Sequence, residues 1–376
     1  MKRYISLLLL LFIIAACTPT EEPVVTPEVT ESPYDVIDSI CLVTDVGTIS
    51  DNTFNQYAYE GMIDLTDEFA SVETSYVETI DPENYTANIQ QCIDNEADII
   101  TTVGFSLTDS TLAAAVANPD VYFIGIDQDV ASITEAPDNY TGVQAAEDEA
   151  GFLVGAIAAS VANSIDGDVI AGVYGIDFPA LKRFRNGYEQ GALYINPDWV
   201  IGENILGQYT DSFIDTELGA TIAQDYIEQG AVVIFGAGGL TGSGAIVQAA
   251  SQGVYVIGVD QDEYFTTFEG GEAENAEYII TSAVKRVDRG VFDIASLLLS
   301  GQLSEFPGGS NYLLNVFSNG IGFTPTHDAD IPEEIIEQAS AIYGALLRQE
   351  ISTGVDPITG NLIDEMPEAE ATEASE

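Results

Sequence analysis

Short apolar runs rich in β-branched residues alternate along this chain with longer stretches whose apolar positions recur every three or four residues. That is the pattern of strands exchanging with amphipathic helices in a parallel sheet. The runs predict strands at Ser39 to Thr44, Ser75 to Glu78, Ile99 to Val103, Tyr122 to Ile126, Val169 to Val173, Val232 to Phe235, Tyr255 to Val259 and Tyr278 to Ser282. Predicted helices between them include Asn52 to Phe69, Ala145 to Ala162, Pro179 to Tyr194, Asp215 to Gln229 and Val284 to Ser300. One strand is written twice: Val-Tyr-Phe-Ile-Gly-Ile-Asp-Gln-Asp at 121–129 returns as Val-Tyr-Val-Ile-Gly-Val-Asp-Gln-Asp at 254–262. A repeated strand ending in a repeated carboxylate predicts two similar α/β lobes facing each other across a cleft. Ligands of open α/β sheets sit beyond the carboxyl ends of the strands, so Asp45, Asp127 and Asp260 are expected to point into that cleft. Any one of them fits a helix cap or turn as well; three in equivalent places favour the cleft.

The ends read differently from the middle. Lys2 and Arg3 precede an apolar run from Ile5 to Ala16 that is too short to span a bilayer, which marks a targeting segment over residues 1–17. It closes in Ile14-Ala15-Ala16-Cys17, which resembles the lipobox of bacterial lipoproteins and implies that Cys17 becomes an acylated N-terminus anchored on the outer face of the cell membrane. Residues 18–37, with Pro19, Pro23, Pro27 and Pro33 among Thr, Glu and Val, read as an extended tether. The acidic stretch 353–376 reads as a disordered tail. Between these, residues 38–144 with 282–314 are expected to form lobe 1, and 145–281 with 315–352 lobe 2. The hinge would have three segments, near Gly142 to Ala145, Thr281 to Ala283 and Asn315 to Gly320.

Charge narrows the partners. Nine basic residues, two of them Lys2 and Arg3, face 62 acidic ones, for a formal net charge of −53. Nucleic acid is excluded, because phosphate binding rests on clustered Lys and Arg. Free nucleotides are repelled in bulk, whereas a neutral solute is not. Solubility accounts for most of these carboxylates. Cys41 and Cys92, each inside an apolar segment, fit either a disulfide or two buried thiols. His327, the only histidine, lies in a loop-like segment before Pro332, which leaves little for a His-based metal site or a Ser-His-Asp triad. No catalytic group, metal or cofactor is expected.

The most informative segment runs Thr44-Asp45-Val46-Gly47 to Ser50-Asp51-Asn52-Thr53-Phe54-Asn55, a polar loop leading from a strand into a helix that Ser50 or Asp51 can cap. Further on come Lys182-Arg183-Phe184 before Gly187 and Tyr188, then Tyr209-Thr-Asp211-Ser-Phe213, then Gly238-Gly239 opening a helix, and Lys285 before Asp288. In order and spacing these segments, from Ile40 to Leu347, resemble the basic membrane protein family, the PnrA-like lipoproteins. These are purine-nucleoside-binding components of ABC transporters with a type I periplasmic-binding fold: two doubly wound parallel-sheet lobes joined by a three-segment hinge.

The resemblance implies a purine nucleoside as ligand, a membrane permease as partner and a monomeric receptor. It implies that Phe54 and Phe213 stack on the base, a contact worth about 1–3 kcal/mol. Phe184 is the competing aromatic, and its spacing suits helix packing better. Asp260 and Lys285 match the ribose-binding pair; Lys285 is one of two lysines beyond the leader, and its neutralising Asp260 structurally is the other reading. Asp45, Asn55 and Asp127 match the polar contacts to the base, with Asp51 and Asn52 beside them, and Asp127 also fits a hinge role. Gly238 and Gly239 allow close approach of backbone N–H groups. The chain departs from the family in its acidity, in Leu240 within the glycine loop, and in Asp211 where glycine is commoner. Two other readings stay open: a sugar or signalling molecule as ligand, and an enzyme, since Asp45 to Asp51 faintly resembles the calcium loop of nucleoside hydrolases but has Val43 where another Asp is required.

Overall fold

The computed structural model describes residues 37–363. Cys17, the leader, the tether up to residue 36 and everything beyond 363 lie outside the described residues.

Lobe 1 begins with β1 (Ser39–Val46), α1 (Phe54–Glu68), β2 (Glu73–Thr79), α2 (Tyr85–Asp94), β3 (Ile99–Val103), α3 (Thr108–Ala117), β4 (Tyr122–Ile126) and β5 (Tyr140–Ala145). The chain crosses to lobe 2 for α4 (Glu147–Ser164), β6 (Ile170–Tyr174), α5 (Pro179–Ile195), β7 (Ile205–Tyr209), α6 (Thr216–Glu228), β8 (Val233–Ala237), α7 (Gly239–Ser251), β9 (Tyr255–Asp260), the one-turn α8 (Glu263–Thr266) and β10 (Ile279–Lys285). It returns for α9 (Val287–Leu299), which packs on α1, and β11 (Asn311–Leu314). A third crossing leads to β12 (Ile321–Phe323) and α10 (Glu333–Leu347).

Each lobe carries a six-stranded sheet, ordered β11-β5-β4-β3-β1-β2 and β12-β10-β9-β8-β6-β7. All pairs are parallel except β10 with β12. In both, the chain starts on an inner strand, steps to the edge and returns on the other side. The gaps between the ends of β1 and β3, and of β6 and β8, are therefore switch points where a ligand crevice opens. Both sheets are covered by helices, and β3, β6 and β8 are buried at every position, as parallel strands with two covered faces should be.

The helix α4 is apolar nearly all round and sits inside the molecule. Gly151 and Gly155 on α4, and Gly187 and Gly191 on α5, face each other so closely that a Cβ on any of them would lie 2.0–2.3 Å from a carbonyl oxygen of the opposite helix. The two helices meet backbone to backbone. In lobe 1, Cys41 on β1 and Cys92 on α2 form a disulfide with Cα atoms 5.8 Å apart.

The structure corrects the sequence reading in three places. The crossings fall at Ala146, at Arg286 and over 315–320, the first two a few residues later than expected. Strand β10 continues through Lys285, where a helix was expected from Val284, because Val284 is paired on one side with Asp260 and on the other with Gly322. Residues 353–363, expected within a disordered tail, are folded on lobe 2: Thr353, Val355 and Asp356 are buried, Asp356 Oδ1 accepts from the N–H groups of Ile358 and Thr359, and Asn186 Nδ2 donates to Gly360 O at 2.6 Å. An acidic residue that reads as solvated there is a buried turn-former.

Candidate functional site

A cavity of about 320 Å³ lies where the two switch points face each other. Lobe 1 contributes Asp45 near the end of β1 and Gly47 just after it, Phe54 and Asn55 at the start of α1, Gly104 and Phe105 after β3, and Asp127 after β4. Lobe 2 contributes Ile176 and Phe178 after β6, Asp211 and Phe213 after β7, Gly238 and Gly239 after β8, Asp260 at the end of β9, and Lys285 at the end of β10. The lobes touch around it. The rings of Phe105 and Phe178 stack with centroids 3.9 Å apart, Gln261 Nε2 donates to Thr53 O at 3.3 Å, and Thr266 Oγ1 donates to Asn52 O at 2.9 Å.

Phe54 and Phe213 line the cavity from opposite lobes, both half-buried. Phe213 lies against Gly175, whose missing Cβ would fall 2.2 Å from the ring, and its carbonyl accepts from Thr241 N. Phe184 also reaches the cavity wall but is 3% exposed and packs on Phe235, so its main office is in the core. Asn55 Oδ1 accepts from Asp45 N and Asn55 Nδ2 donates to Asp51. Asp51 in turn accepts from the N–H groups of Thr53, Asn55 and Gln56, and so satisfies first-turn donors of α1 from two residues before its N-cap position, Thr53. These two side chains hold the loop in place, and Asn52 does not line the cavity; its carbonyl ties the lobes together instead. Gly238 and Gly239 are small because Gly175 and Phe213 leave a Cβ no room.

The repeated aspartates have diverged in partnership. Asp127 and Asp260 both sit in the left-handed region, at φ 60° and 67°, as does Asp211 at 56°. Such backbone is uncommon for residues other than glycine and clusters at functional sites. Asp127 receives Lys285 Nζ at 2.6 and 2.7 Å. The ammonium's remaining reach goes to Glu147 Oε1 at 2.7 Å, and Glu147 Oε2 holds Arg183 Nε at 2.5 Å. Lys285 hydrogen-bonds Asp127 and is ion-paired with Glu147, while Asp260 lines the same cavity and adds to the charge that stabilises the ammonium. Burial alone would lower the Lys285 pKa; Asp127, Glu147 and Asp260 outweigh it and hold the ammonium above its usual range. Burial likewise opposes the charge of Glu147, but Arg183 and Lys285 pull its carboxyl down.

Asp260 is 7% exposed and lines the cavity, and its carboxyl accepts no hydrogen bond from another side chain or backbone N–H among the described residues. Burial pushes its carboxyl up to about 7. An acceptor desolvated in this way is costly unless something in the cavity donates to it. Asp45 is partnered, by Val46 N and by the hydroxyl of Tyr85, and burial raises its carboxyl too. Among the described residues no free cation lines the cavity, because the one lysine there is spent on carboxylates.

Sequence reasoning missed Phe105, Phe178 and Tyr85, and it missed Glu147 and Arg183 behind the wall. Phe105 and Phe178 each follow a strand at a switch point, a signal that was available once the strand order was known. Glu147 carries none, because only the crossing at Ala146 brings it to Lys285. His327 lies away from the cavity, stacked on Tyr264 at 4.1 Å and paired with Asp262 at 2.7 Å.

A family model described as ABC transporter substrate-binding protein PnrA-like matches residues 39–352. The ABC transporter nucleoside-binding protein BmpA of Lactococcus lactis subsp. cremoris is 30% identical over 292 residues, covering 74% of this chain and 79% of the relative. Basic membrane protein A of Borreliella afzelii is 30% identical over 319 residues, covering 84% and 91%. An uncharacterized lipoprotein of Pyrococcus furiosus is 31% identical over 291 residues, covering 76% and 69%. Among solved structures, an ABC transporter solute-binding protein of Aeropyrum pernix K1 superposes with a TM-score of 0.73 at 26% identity, over 90% of this chain and 99% of that one.

Proposed function

The chain belongs to the PnrA-like family of ABC transporter substrate-binding proteins, and from that premise we propose that it captures purine nucleosides outside the cell and presents them to a membrane permease. The observation that supports the purine is the cavity lining: one half-buried phenylalanine from each lobe, Phe54 and Phe213, around a set of carboxyl groups with no free cation. A flat, neutral, donor-rich solute fits that lining. The base stacks on the aromatics, its N–H groups meet Asp45 and Asp127, and the ribose hydroxyls donate to the unpartnered Asp260. A phosphate is disfavoured by the same carboxyls. The protein acts as a monomeric receptor without catalysis. Asp45 and Asp51, the carboxylates that resemble a calcium loop, are engaged by Tyr85 and Val46 and by the start of α1. Acylated Cys17 and the following residues tether it to the membrane surface; among the described residues no helix is long and apolar enough to cross one.

Calorimetric titration of protein stripped of ligand by unfolding and refolding tests this reading. Guanosine, inosine or adenosine should bind tightly, with cytidine, GMP and ribose far weaker. Heat from a sugar alone, or from no nucleoside, would overturn it, and hydrolysis of inosine or guanosine with added calcium would favour the enzyme.

The Asp260 carboxyl sets the expected pH dependence. Only the ionised form accepts from both ribose hydroxyls, and with a pKa of about 7 half the empty sites are protonated near neutrality. Affinity for a nucleoside should therefore rise with pH, about tenfold per unit well below 7 and levelling above it. Titrations at pH 5.5, 6.5 and 8 check this; Asp260→Asn should bind weakly with a flat profile. A flat profile in the unaltered protein would remove Asp260 from the ligand.

A further inference from the structure

Behind the cavity wall runs a chain of buried charges that ends on the C-terminal segment. Asp127 sits at the cavity, Lys285 at the last position of β10, Glu147 at the first of α4, and Arg183 on α5. The side chains of Arg183 and Glu147 are 2% and 0% exposed, and neither residue lines the cavity. Arg183 spreads its guanidinium over three directions: Nε to Glu147, Nη2 to Gln144 Oε1 at 3.3 Å, and Nη1 to the carbonyls of Pro357 and Ile358 at 3.1 and 3.2 Å. The sequence shows only Lys182, Arg183 and Arg185 close together on one helix.

Charge balance gives this chain a direction. Asp127 and Glu147 carry two negative charges, Lys285 and Arg183 two positive ones, and all four are out of water. Arg183 holds one oxygen of Glu147 and Lys285 Nζ lies 2.7 Å from the other as an ion pair, while Lys285 keeps two hydrogen bonds on Asp127. Without Arg183, one ammonium would serve two buried carboxylates. Lys285 would shift towards Glu147, or a proton would be taken up by the pair. In either case Asp127 would no longer present the cavity with the same acceptor.

We propose that Arg183 is a positioning residue for the ligand site, holding Glu147 so that Lys285 stays on Asp127, and that the backbone at Pro357 and Ile358 fixes Arg183 in that role. This rests on the reading that Asp127 faces the ligand. The C-terminal segment is then part of the receptor's binding apparatus although none of its described residues lines the cavity.

The test compares the unaltered protein with Arg183→Met and with Arg183→Met/Glu147→Gln, by guanosine titration and by thermal melting. Arg183→Met should weaken guanosine binding by about tenfold, the equivalent of a one-unit pKa change, and lower the melting temperature. The double variant removes one charge of each sign and should recover most of both. An arginine that only fills space predicts the opposite, since the second substitution removes another buried contact; a double variant no better than the single one overturns the proposal. So does guanosine binding by Arg183→Met equal to that of the unaltered protein. If the unaltered protein binds no nucleoside, the functional reading fails, and the melting temperatures still decide whether the four charges act as a unit.

Discussion

Replacing Lys285 by methionine should destabilise the protein by about 3–5 kcal/mol, the cost of stranding a buried partner charge. The side chain is 3% exposed and serves Asp127 and Glu147 at 2.6 and 2.7 Å. In the variant Arg183 remains on Glu147, so Asp127 is the carboxylate left uncompensated. Its pKa in the folded state then rises well above the unfolded value. A carboxyl raised in this way is tolerated at pH below its unfolded pKa and becomes a growing burden as pH climbs through its folded one. The deficit should therefore be smallest near pH 4 and largest above neutrality. Denaturant unfolding at pH 4.5 and pH 8 reads this directly. A deficit that does not change with pH would mean that the lysine's methylenes, and not its charge, carry the effect. Adding Asp127→Asn should recover much of the loss, at the expense of ligand affinity.

Truncating the two candidate aromatics should separate binding from folding. Phe213→Ala removes a ring that lines the cavity and packs on glycine backbone and on Phe178, at 6.3 Å between centroids. Loss of one stacking face should weaken every purine nucleoside by roughly 1–3 kcal/mol, which is about 5-fold to 150-fold in Kd. Its stability cost should be small, because the ring is half-buried. Phe184→Ala should do the reverse, costing about 3–5 kcal/mol of stability and leaving affinity near that of the parent once both are measured well below the melting temperature. Equal losses of affinity would defeat the assignment of Phe213. Cytidine, with a smaller face to stack, should respond less to Phe213→Ala than guanosine does.

The fold was legible from periodicity because a parallel sheet buried on both faces writes itself as short continuous apolar runs. The repeat at 121–129 and 254–262 went further and placed two equivalent strands at equivalent points of two lobes. What escaped was short or irregular: β5, β7, β11 and β12 are three to six residues long and carry little pattern of their own. At the site, the strand-end rule brought Asp45, Asp127 and Asp260 to one cavity, and the family pattern added Phe54 and Phe213. Pairing was not legible. Lys285 meets Asp127 and Glu147 together because a helix start places Glu147 beside it, and no spacing in the chain announces that neighbour. The cysteines were similar: spacing left a disulfide and two thiols equally open, and the contact of β1 with α2 decides for the disulfide.

The three crossings have a consequence for how the molecule is made. A polypeptide emerging from its N-terminus supplies β1 to β5 early, yet the strand that covers the outer edge of β5 is β11, at 311–314. Until then β5 presents an open row of backbone donors and acceptors, the kind of edge along which chains aggregate. Lobe 2 waits longer still, for β12 beside β10 and for the carbonyls at 357 and 358 that seat Arg183. Neither sheet is complete until a strand from the last third of the chain arrives, and a chain cut short between α10 and residue 357 has both sheets yet leaves the buried Arg183 without its two carbonyl partners.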